Sequence, residues 1–344
     1  MGTVNLLDLQ LNEMTDFVAG LGQPAFRGKQ LFGWLAKGVG FDAMGNLPKA
    51  FIEELSEKAH IGMPEILQVQ VSKTDGTRKY LFGLEDGNAI ESVFMKYKFG
   101  NSICVSSQAG CRMGCKFCAS AIGGLTRNLT AGEIYGQILA AEKDTGEKIS
   151  HVVVMGTGEP FDNYDNLSRF IDIINDKNGL NIGMRNITVS TSGLVPVIDR
   201  FAEDFSQVNL AVSLHYADDE TRSNMMPVNR KYGIPVLMDA CRRYIEKTNR
   251  RVTFEYALVK DVNDRVTDAE ALAKLLKGML CHVNLIPLNE VRETGLKTSE
   301  RKSQLEFQKV LEQRGIPCTI RRELGDDIDA ACGQLRLNRS RETE

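Results

Sequence analysis

One short segment contains three cysteines whose spacing suits an iron–sulfur cluster. The segment CRMGCKFC places Cys111, Cys115 and Cys118 directly after the apolar stretch SICVSS. Thiolates are the usual protein ligands of such clusters, and a loop with three of them leaves the fourth iron of a cubane without a protein ligand. A metal with an open position can bind and activate a small molecule. We therefore predict one [4Fe-4S] cluster held by these three cysteines.

A structural zinc site is the alternative for the same cysteines. Cys104 could complete four thiolates in tetrahedral geometry. Zinc sites usually combine two CxxC pairs, whereas this segment offers one CxxxCxxC, so the spacing favours the cluster. Under the zinc alternative, the chain would be a non-catalytic zinc-containing RNA-binding protein.

Phe117 completes the pattern CxxxCxΦC, in which the segment resembles the radical S-adenosylmethionine (SAM) superfamily. The resemblance implies that the amino and carboxylate groups of SAM bind the open iron. One electron from the cluster then splits the sulfonium and yields a deoxyadenosyl radical. SAM and the [4Fe-4S] cluster are therefore the expected cofactors.

Polar residues follow several predicted strands downstream of the cysteines, in MGTGEP, STSG, SLH and IPLN. Each alone could be an ordinary strand-end cap or turn. Together they should line one rim, because the carboxyl ends of parallel strands meet at one edge of a barrel. The residues predicted to bind SAM are Gly158, Glu159, Ser190, Ser213, Leu214, His215 and Asn289.

The order of the predicted elements indicates an α/β fold. Helical patterns fill the first 65 residues, strands follow, and from residue 102 seven apolar strands alternate with amphipathic helices. Such alternation is typical of a parallel sheet. Thr130 with Glu133 and Thr267 with Glu270 fit capping boxes at two helix starts. The alternation leaves both an open sheet and a barrel possible. The resemblance to the radical SAM superfamily implies a partial TIM-like (β/α)6 radical SAM barrel with a small helical N-terminal accessory domain.

We expect four parts along the chain: a helical RNA-docking domain over 1–75, a strand-rich linker over 76–96, a radical SAM core barrel over 97–327 and a C-terminal tail over 328–344.

The overall charge does not indicate nucleic-acid binding, because the net charge is −3 and the isoelectric point is about 6.0. Any RNA contact must then use local basic patches. The candidates are Arg27, Lys29, Lys96, Lys98, Arg321, Arg322, Arg336, Arg339 and Arg341. No secretion leader and no run of 18 apolar residues is evident, so we expect a cytoplasmic protein without membrane association.

Eight cysteines without a secretion signal argue for metal binding or catalysis rather than a disulfide framework. Cys241, Cys281 and Cys318 fall in apolar patterns and are predicted to be buried thiols.

Over nearly its whole length the chain resembles the RlmN and Cfr family of radical SAM RNA adenine methyltransferases. The blocks that carry the resemblance are CVSSQAGCRMGCKFC, MGTGEPFDNYDN, STSG, SLH, MMPVNRKY, VNLIPLN and DIDAACGQL. GEP at 158–160 and IPLN at 286–289 are similar to the C2-methylating RlmN branch. The resemblance implies a 23S rRNA (adenine(2503)-C(2))-methyltransferase that also acts on adenine 37 of tRNA. Methylation of C8 of the same rRNA adenine, as in the Cfr branch, is the alternative.

The family's chemistry implies roles for three further residues and uses two SAM molecules per turnover. Cys332 would carry the methyl group as an S-methylcysteine, and Glu91, thirteen residues before Cys104, would remove the C2 proton. Cys104 would release the product by forming a transient disulfide with Cys332. The implied partners are 23S rRNA, tRNA and a reductase electron donor such as flavodoxin or ferredoxin, and we expect a monomer.

Overall fold

The computed structural model describes residues 3–289, 294–322, 324–328, 330 and 338–339. Cys332 lies outside the described residues, as do Arg336 and Arg341. The helices of the described part are α1 Leu11–Gly20, α2 Phe26–Leu35, α3 Lys49–Lys58, α4 Ala131–Thr145, α5 Tyr164–Asn175, α6 Val195–Asp204, α7 Asp219–Met225, α8 Ile234–Thr248, α9 Val266–Leu276 and α10 Arg301–Gln313.

The strands alternate with these helices over most of the chain. They are β1 Val4–Asn5, β2 Ala59–His60, β3 Glu65–Val71, β4 Arg78–Gly83, β5 Asn88–Tyr97, β6 Gly100–Cys104, β7 Gln108–Gly110, β8 Leu125–Asn128, β9 His151–Val154, β10 Ile187–Thr191, β11 Asn209–Ser213, β12 Val252–Leu258, β13 Cys281–Pro287, β14 Cys318–Ile320 and β15 Asn338–Arg339.

Helices α1 to α3 form the N-terminal module, which the short parallel pair β1–β2 closes. The side chains of Leu31 and Leu35 on α2 and of Phe51 and Leu55 on α3 are buried in the main core of the chain. This spacing of four residues places apolar side chains on one face of each helix. The predicted helical N-terminal region is confirmed.

The large sheet has the strand order β14-β13-β12-β11-β10-β9-β6-β5-β4-β3. The strands from β6 through β9 to β14 pair in parallel, and α4, α5, α6, α8, α9 and α10 connect them in sequence. Six β/α units and a final strand therefore follow one another, and the strand path stays open. The predicted partial barrel is confirmed.

Strands β3, β4 and β5 extend the same sheet in antiparallel fashion. β5 also pairs with β6, the first barrel strand, with Val93 opposite Cys104. The backbone of β15 pairs with β5 at Asn338 and Ala89. Residues 65–104 thus attach the N-terminal module and the end of the chain to one edge of the barrel.

One of the two predicted capping boxes is confirmed and the other is wrong. The hydroxyl group of Thr130 accepts a hydrogen bond from the backbone N–H of Glu133 at 3.2 Å, and the Glu133 carboxylate accepts one from the Thr130 N–H at 2.9 Å. The box predicted at Thr267 and Glu270 does not form, because α9 begins earlier, at Val266. There the Asp268 carboxylate accepts from the Arg265 N–H, so the competing acid two residues earlier sets the helix start.

Among the helices that the structure describes, none has the length and apolar character needed to cross a membrane. Cys241, Cys281 and Cys318 are buried, as their apolar surroundings in the sequence predict.

Candidate active site

A cavity of about 950 Å³, including the solvent at its mouth, lies at the carboxyl ends of the parallel strands. The cavity is lined by all three predicted cluster ligands and by six of the seven predicted SAM-binding residues: Gly158, Glu159, Ser190, Ser213, His215 and Asn289. Leu214, the seventh, is fully buried and is not among the lining residues.

The cysteine loop is held against the barrel by backbone hydrogen bonds. The N–H of Cys111 donates to the carbonyl of Gly124 at 2.9 Å, and the N–H of Lys116 donates to the carbonyl of Met225 at 3.0 Å. The second bond ties the loop to the end of α7. The loop geometry therefore depends on the segment that contains MMPVNRKY.

The donor set fits a cubane better than a single metal ion. Among the residues that the structure describes, no three His, Cys, Asp or Glu side chains converge on one ion position. A cubane needs no such convergence, because each thiolate binds a different iron. The zinc alternative requires Cys104 as a fourth ligand, but Cys104 packs with Val93, Met95 and Ala330 in a separate buried cluster and does not line the cavity.

Burial disfavours uncompensated thiolates in this loop, as it also does at Cys241 and Cys318. Burial raises the pKa of Cys111 to about 12 and that of Cys115 well above its ordinary value. A thiolate at such a site is stable only beside a compensating positive charge, which cluster irons supply. The described residues thus fit a [4Fe-4S] cluster at this position.

The turn after β9 positions Glu159 at the cavity wall. Gly158 has a φ of +112°, and a Cβ atom there would lie 2.7 Å from the Cβ atom of Gln108, so only glycine fits. The Glu159 carboxylate accepts hydrogen bonds from the backbone N–H groups of Phe161 at 3.1 Å and Ser192 at 2.7 Å. These bonds fix the carboxylate between the ends of β9 and β10. Burial raises the pKa of Glu159.

Two polar residues that the sequence did not single out link this turn to the cysteine loop. The Gln108 side chain accepts from the Glu159 N–H and donates to the Asp162 carboxylate, each at 2.8 Å. The same carboxylate accepts from the Arg112 guanidinium at 2.8 Å. Asp162 therefore couples the loop to the GEP turn.

His215 is neutral and held in one orientation. Its Nδ1 accepts a hydrogen bond from the N–H of Ala257 at 2.9 Å, so the ring proton lies on Nε2. Burial lowers the pKa of His215 to about 3. The ring meets Phe117 of the cysteine loop edge to face, with centroids 4.8 Å apart. His215 thus packs between the loop and β12, with a backbone φ of +55°.

Arg222 is the most important residue that sequence reasoning missed. Its guanidinium is fully buried and donates to the carbonyls of Leu214 at 3.0 Å and Ser192 at 2.8 Å, and to the Asn229 side chain at 2.6 Å. It thereby ties the ends of β10 and β11 to the segment after α7. A lone arginine in a short polar helix gives no sign of this burial.

A second buried cluster adjoins the cavity and contains Cys104. Its buried members are Val93 and Met95 of β5, Cys104 of β6 and Ala330, and Met155, which also lines the cavity, packs against it. Alternate residues of a strand share a face, so Glu91 lies on the same face of β5 as Val93. The side chain of Glu91 is 6% exposed, and one of its oxygens lies 3.3 Å from the Lys79 ammonium.

Two of the basic residues proposed for RNA contact are engaged in local contacts. Lys96 pairs with Glu147, and Arg27 donates to the Asn46 carbonyl while lying 5.0 Å from the Phe26 ring centre. Arg321 lines the cavity. For Arg339 only the backbone is described.

Three cysteines with CxxxCxΦC spacing at the carboxyl ends of an open parallel sheet define a radical SAM protein. A sequence profile of the radical SAM superfamily matches residues 105–276, and one of the ribosomal RNA large subunit methyltransferase N-terminal domain matches residues 4–61. Proteins of this superfamily bind a [4Fe-4S] cluster and SAM.

Relatives that match nearly the whole chain show which family of the superfamily it belongs to. A protein of Clostridium perfringens named "Probable dual-specificity RNA methyltransferase RlmN" is 55% identical over 334 residues, 96% of each chain. One of the same name from Alkaliphilus oremlandii is 55% identical over 337 residues, 98% of each chain. A crystal structure of a radical SAM methyltransferase from Sphaerobacter thermophilus matches with a TM-score of 0.93 and 46% identity, over 96% of this chain and 99% of that one. The chain belongs to the RlmN family of radical SAM RNA methyltransferases.

Proposed function

We propose that the chain methylates C2 of adenine 2503 in 23S rRNA, at the peptidyl-transferase centre, and C2 of adenine 37 in tRNA. The observation that carries this proposal is the packing of Cys104 with Ala330, two residues before Cys332, beside a cavity that contains the cluster ligands. A methyl carrier and a resolving thiol must meet next to the radical source. The dual-specificity names of relatives at 53–55% identity support both RNA substrates.

Different residues of the chain would perform the successive steps of the proposed methylation. When bound, the cluster supplies the electron that cleaves SAM. Cys332 presents its S-methyl group, which becomes the new carbon on the adenine. Glu91 takes the C2 proton, and Lys79 holds the Glu91 carboxylate in place. After the adduct has lost this proton and one electron, which the cluster would take back, the Cys104 thiolate would attack the Cys332 sulfur. The bond between this sulfur and the transferred carbon breaks, the carbon takes up a proton to become the methyl group, and the resulting disulfide is reduced before the next turnover.

The residues that line the cavity are the proposed contacts of SAM. Gly158 and Glu159 would hold the amino-acid part of SAM, and Ser190, Ser213, His215 and Asn289 would bind the rest of the molecule. Because the ring proton of His215 lies on Nε2, this residue can only donate to a ligand there. Leu214 would contribute through its buried position behind the rim.

The N-terminal module would dock RNA, and the barrel would act on an unpaired adenine, whose C2 edge is hidden inside a duplex. In this proposal residues 1–75 dock RNA, 76–96 link, 97–327 form the catalytic barrel and 328–344 carry Cys332. We further propose a cytoplasmic monomer that receives electrons from flavodoxin or ferredoxin.

One experiment tests substrate and position together. Anaerobically reconstituted protein is incubated with SAM, reductant and either an unmodified 23S rRNA fragment or unmodified tRNA, and the nucleosides are identified by mass spectrometry. We expect 2-methyladenosine from both RNAs. 8-Methyladenosine would instead assign the chain to the C8 branch, and product from rRNA alone would remove tRNA from the proposal.

A further inference from the structure

A row of polar side chains crosses four neighbouring barrel strands at one level. Ser213 of β11 pairs in register with Glu255 of β12, Glu255 with Asn284 of β13, and Asn284 with Thr319 of β14. Strands of a parallel sheet that is covered on both faces are usually continuous apolar runs. Ser213 and Glu255 of this row line the cavity, and Thr319 at its far end is exposed. The buried part of the row therefore needs either a polar ligand or a complete hydrogen-bond network.

The network is closed at one end of the row. The Thr319 hydroxyl donates to the Asn284 amide oxygen at 3.0 Å, which turns the Asn284 amide nitrogen toward Glu255. That nitrogen donates to Glu255 Oε1 at 3.2 Å. Asn284 therefore sets the orientation of the Glu255 carboxylate.

The hydrogen-bond network does not include the second carboxylate oxygen of Glu255. Glu255 is 4% exposed and lines the cavity, yet its Oε2 is buried without a hydrogen-bond partner in the described part of the chain. A buried carboxylate oxygen without a donor is strongly unfavourable, and such groups usually face a ligand. Oε2 therefore marks the place of a hydrogen-bond donor that the protein itself does not supply.

The residues around Glu255 indicate which kind of ligand group would donate a hydrogen bond to its Oε2. Glu159 lies near the cysteine loop, and in this superfamily the ammonium group of SAM belongs at the open iron. Glu255 lies in the row of Ser213, whose hydroxyl is 3.4 Å from that of Ser190. A carboxylate oxygen beside serine hydroxyls matches a pair of neighbouring ligand hydroxyls, since each hydroxyl can both donate and accept.

We propose that Glu255, oriented by Asn284, binds the ribose hydroxyl groups of SAM. The inference rests on the SAM site proposed above and adds a contact that no motif of the sequence indicated. Arg321, which follows β14, also lines the cavity and offsets part of the cost of the buried charge.

The test measures binding in the absence of RNA. S-Adenosylhomocysteine and its 2′,3′-dideoxy analogue are titrated calorimetrically into anaerobically reconstituted wild-type protein and the Glu255→Gln variant. In the wild type, loss of both hydroxyls should weaken binding by about tenfold or more, as expected for hydrogen bonds to a charged group. In Glu255→Gln the parent compound should bind correspondingly more weakly, and removal of the hydroxyls should cost much less.

Two controls keep the result interpretable. Glu300→Gln changes an exposed glutamate that pairs with Lys260 and should bind both compounds like the wild type. If Glu255→Gln does not retain iron and fold, Glu255→Asp, which withdraws the carboxylate by one methylene, should lose the same hydroxyl-dependent part of the affinity.

An equal penalty for the dideoxy analogue in wild type and variant would overturn the proposal, as would unchanged binding of the parent compound by Glu255→Gln. If the wild type does not discriminate between the two compounds, SAM is not the source of the hydroxyl groups and the proposal fails. None of these outcomes depends on which RNA or which carbon is methylated, so the two proposals fail separately.

Discussion

Cys104 and Ala330 belong to one buried cluster, and Ala330 stands two residues before Cys332 in the chain. The cluster joins β6 to the C-terminal segment across more than two hundred residues of sequence. It is the observation behind the proposed disulfide of Cys104 with Cys332, which itself lies outside the described residues.

Cys104→Ala should stall turnover with RNA covalently bound to the protein, because no thiolate remains to attack the Cys332 sulfur. Denaturing gels of the reaction should show a protein–RNA crosslink that the wild type does not accumulate. Cys281→Ala removes another buried cysteine, outside this cluster, and should turn over normally. Retained activity of Cys104→Ala with no crosslink would rule out its role in release.

Cys332→Ala should abolish methyl transfer while the protein keeps its cluster, because the methyl carrier is lost but Cys111, Cys115 and Cys118 are untouched. Iron content and the absorption of the reduced and oxidised cluster should match the wild type, and SAM should still be cleaved under reduction. Methylated nucleoside formed by this variant would refute the carrier role.

Glu91→Gln should reduce the rate by about 10²–10⁴-fold, the usual contribution of a general base. The Lys79 ammonium lies 3.3 Å from the Glu91 carboxylate, so Lys79→Met should slow proton removal as well, and Lys79→Arg should restore much of the rate. RNA deuterated at C2 of the target adenine separates this role from a structural one. A larger isotope effect in Lys79→Met than in the wild type is expected, and an unchanged effect would contradict the positioning role.

Much of the site could be predicted from the sequence because its residues sit in short local patterns. The cysteine loop and the polar strand ends are contiguous motifs, and the parallel sheet brings the ends of consecutive strands to one edge. Gly158 and His215 reach the cavity for this reason.

The residues that the sequence did not reveal come together through contacts between distant segments of the chain. Glu255, Asn284 and Thr319 lie on three different apolar strands, and only the register of these strands brings them into one row. Polar and apolar residues alternate along these strands. This alternation could have been used as a signal, because a strand that is buried on both faces should lack it. Arg222 had no such pattern, since its burial is decided by the loops that close over it. The wrong capping box at Thr267 arose because Asp268 and Glu270 compete for adjacent helix starts.

Arg222→Met should strongly destabilise the protein. The Ser192 carbonyl and the Asn229 amide oxygen would lose the Arg222 donor in a buried site, at about 1–3 kcal/mol for each group left unsatisfied, whereas the Leu214 carbonyl would keep the N–H of Tyr216. We expect a marked fall of the unfolding midpoint in urea and poor cluster retention. Arg242→Met removes a half-exposed arginine that pairs with Asp239 and should cost about 0–1 kcal/mol. Equal stability of the two variants would contradict the bracing role of Arg222.

His215 should make stability depend on pH below neutrality. Burial lowers its pKa from 6.5 to about 3, so between these values the unfolded chain binds a proton that the folded chain does not. The contribution is therefore fully present above pH 6.5 and declines as the pH falls toward 3, by about 1.4 kcal/mol per pH unit. Urea unfolding at pH 7, 6 and 5 measures this slope. His215→Asn offers an amide oxygen to the Ala257 N–H and tolerates the positive φ. Because asparagine does not titrate, the slope of this variant should be shallower by the His215 contribution, and identical slopes would show that His215 is not the group responsible.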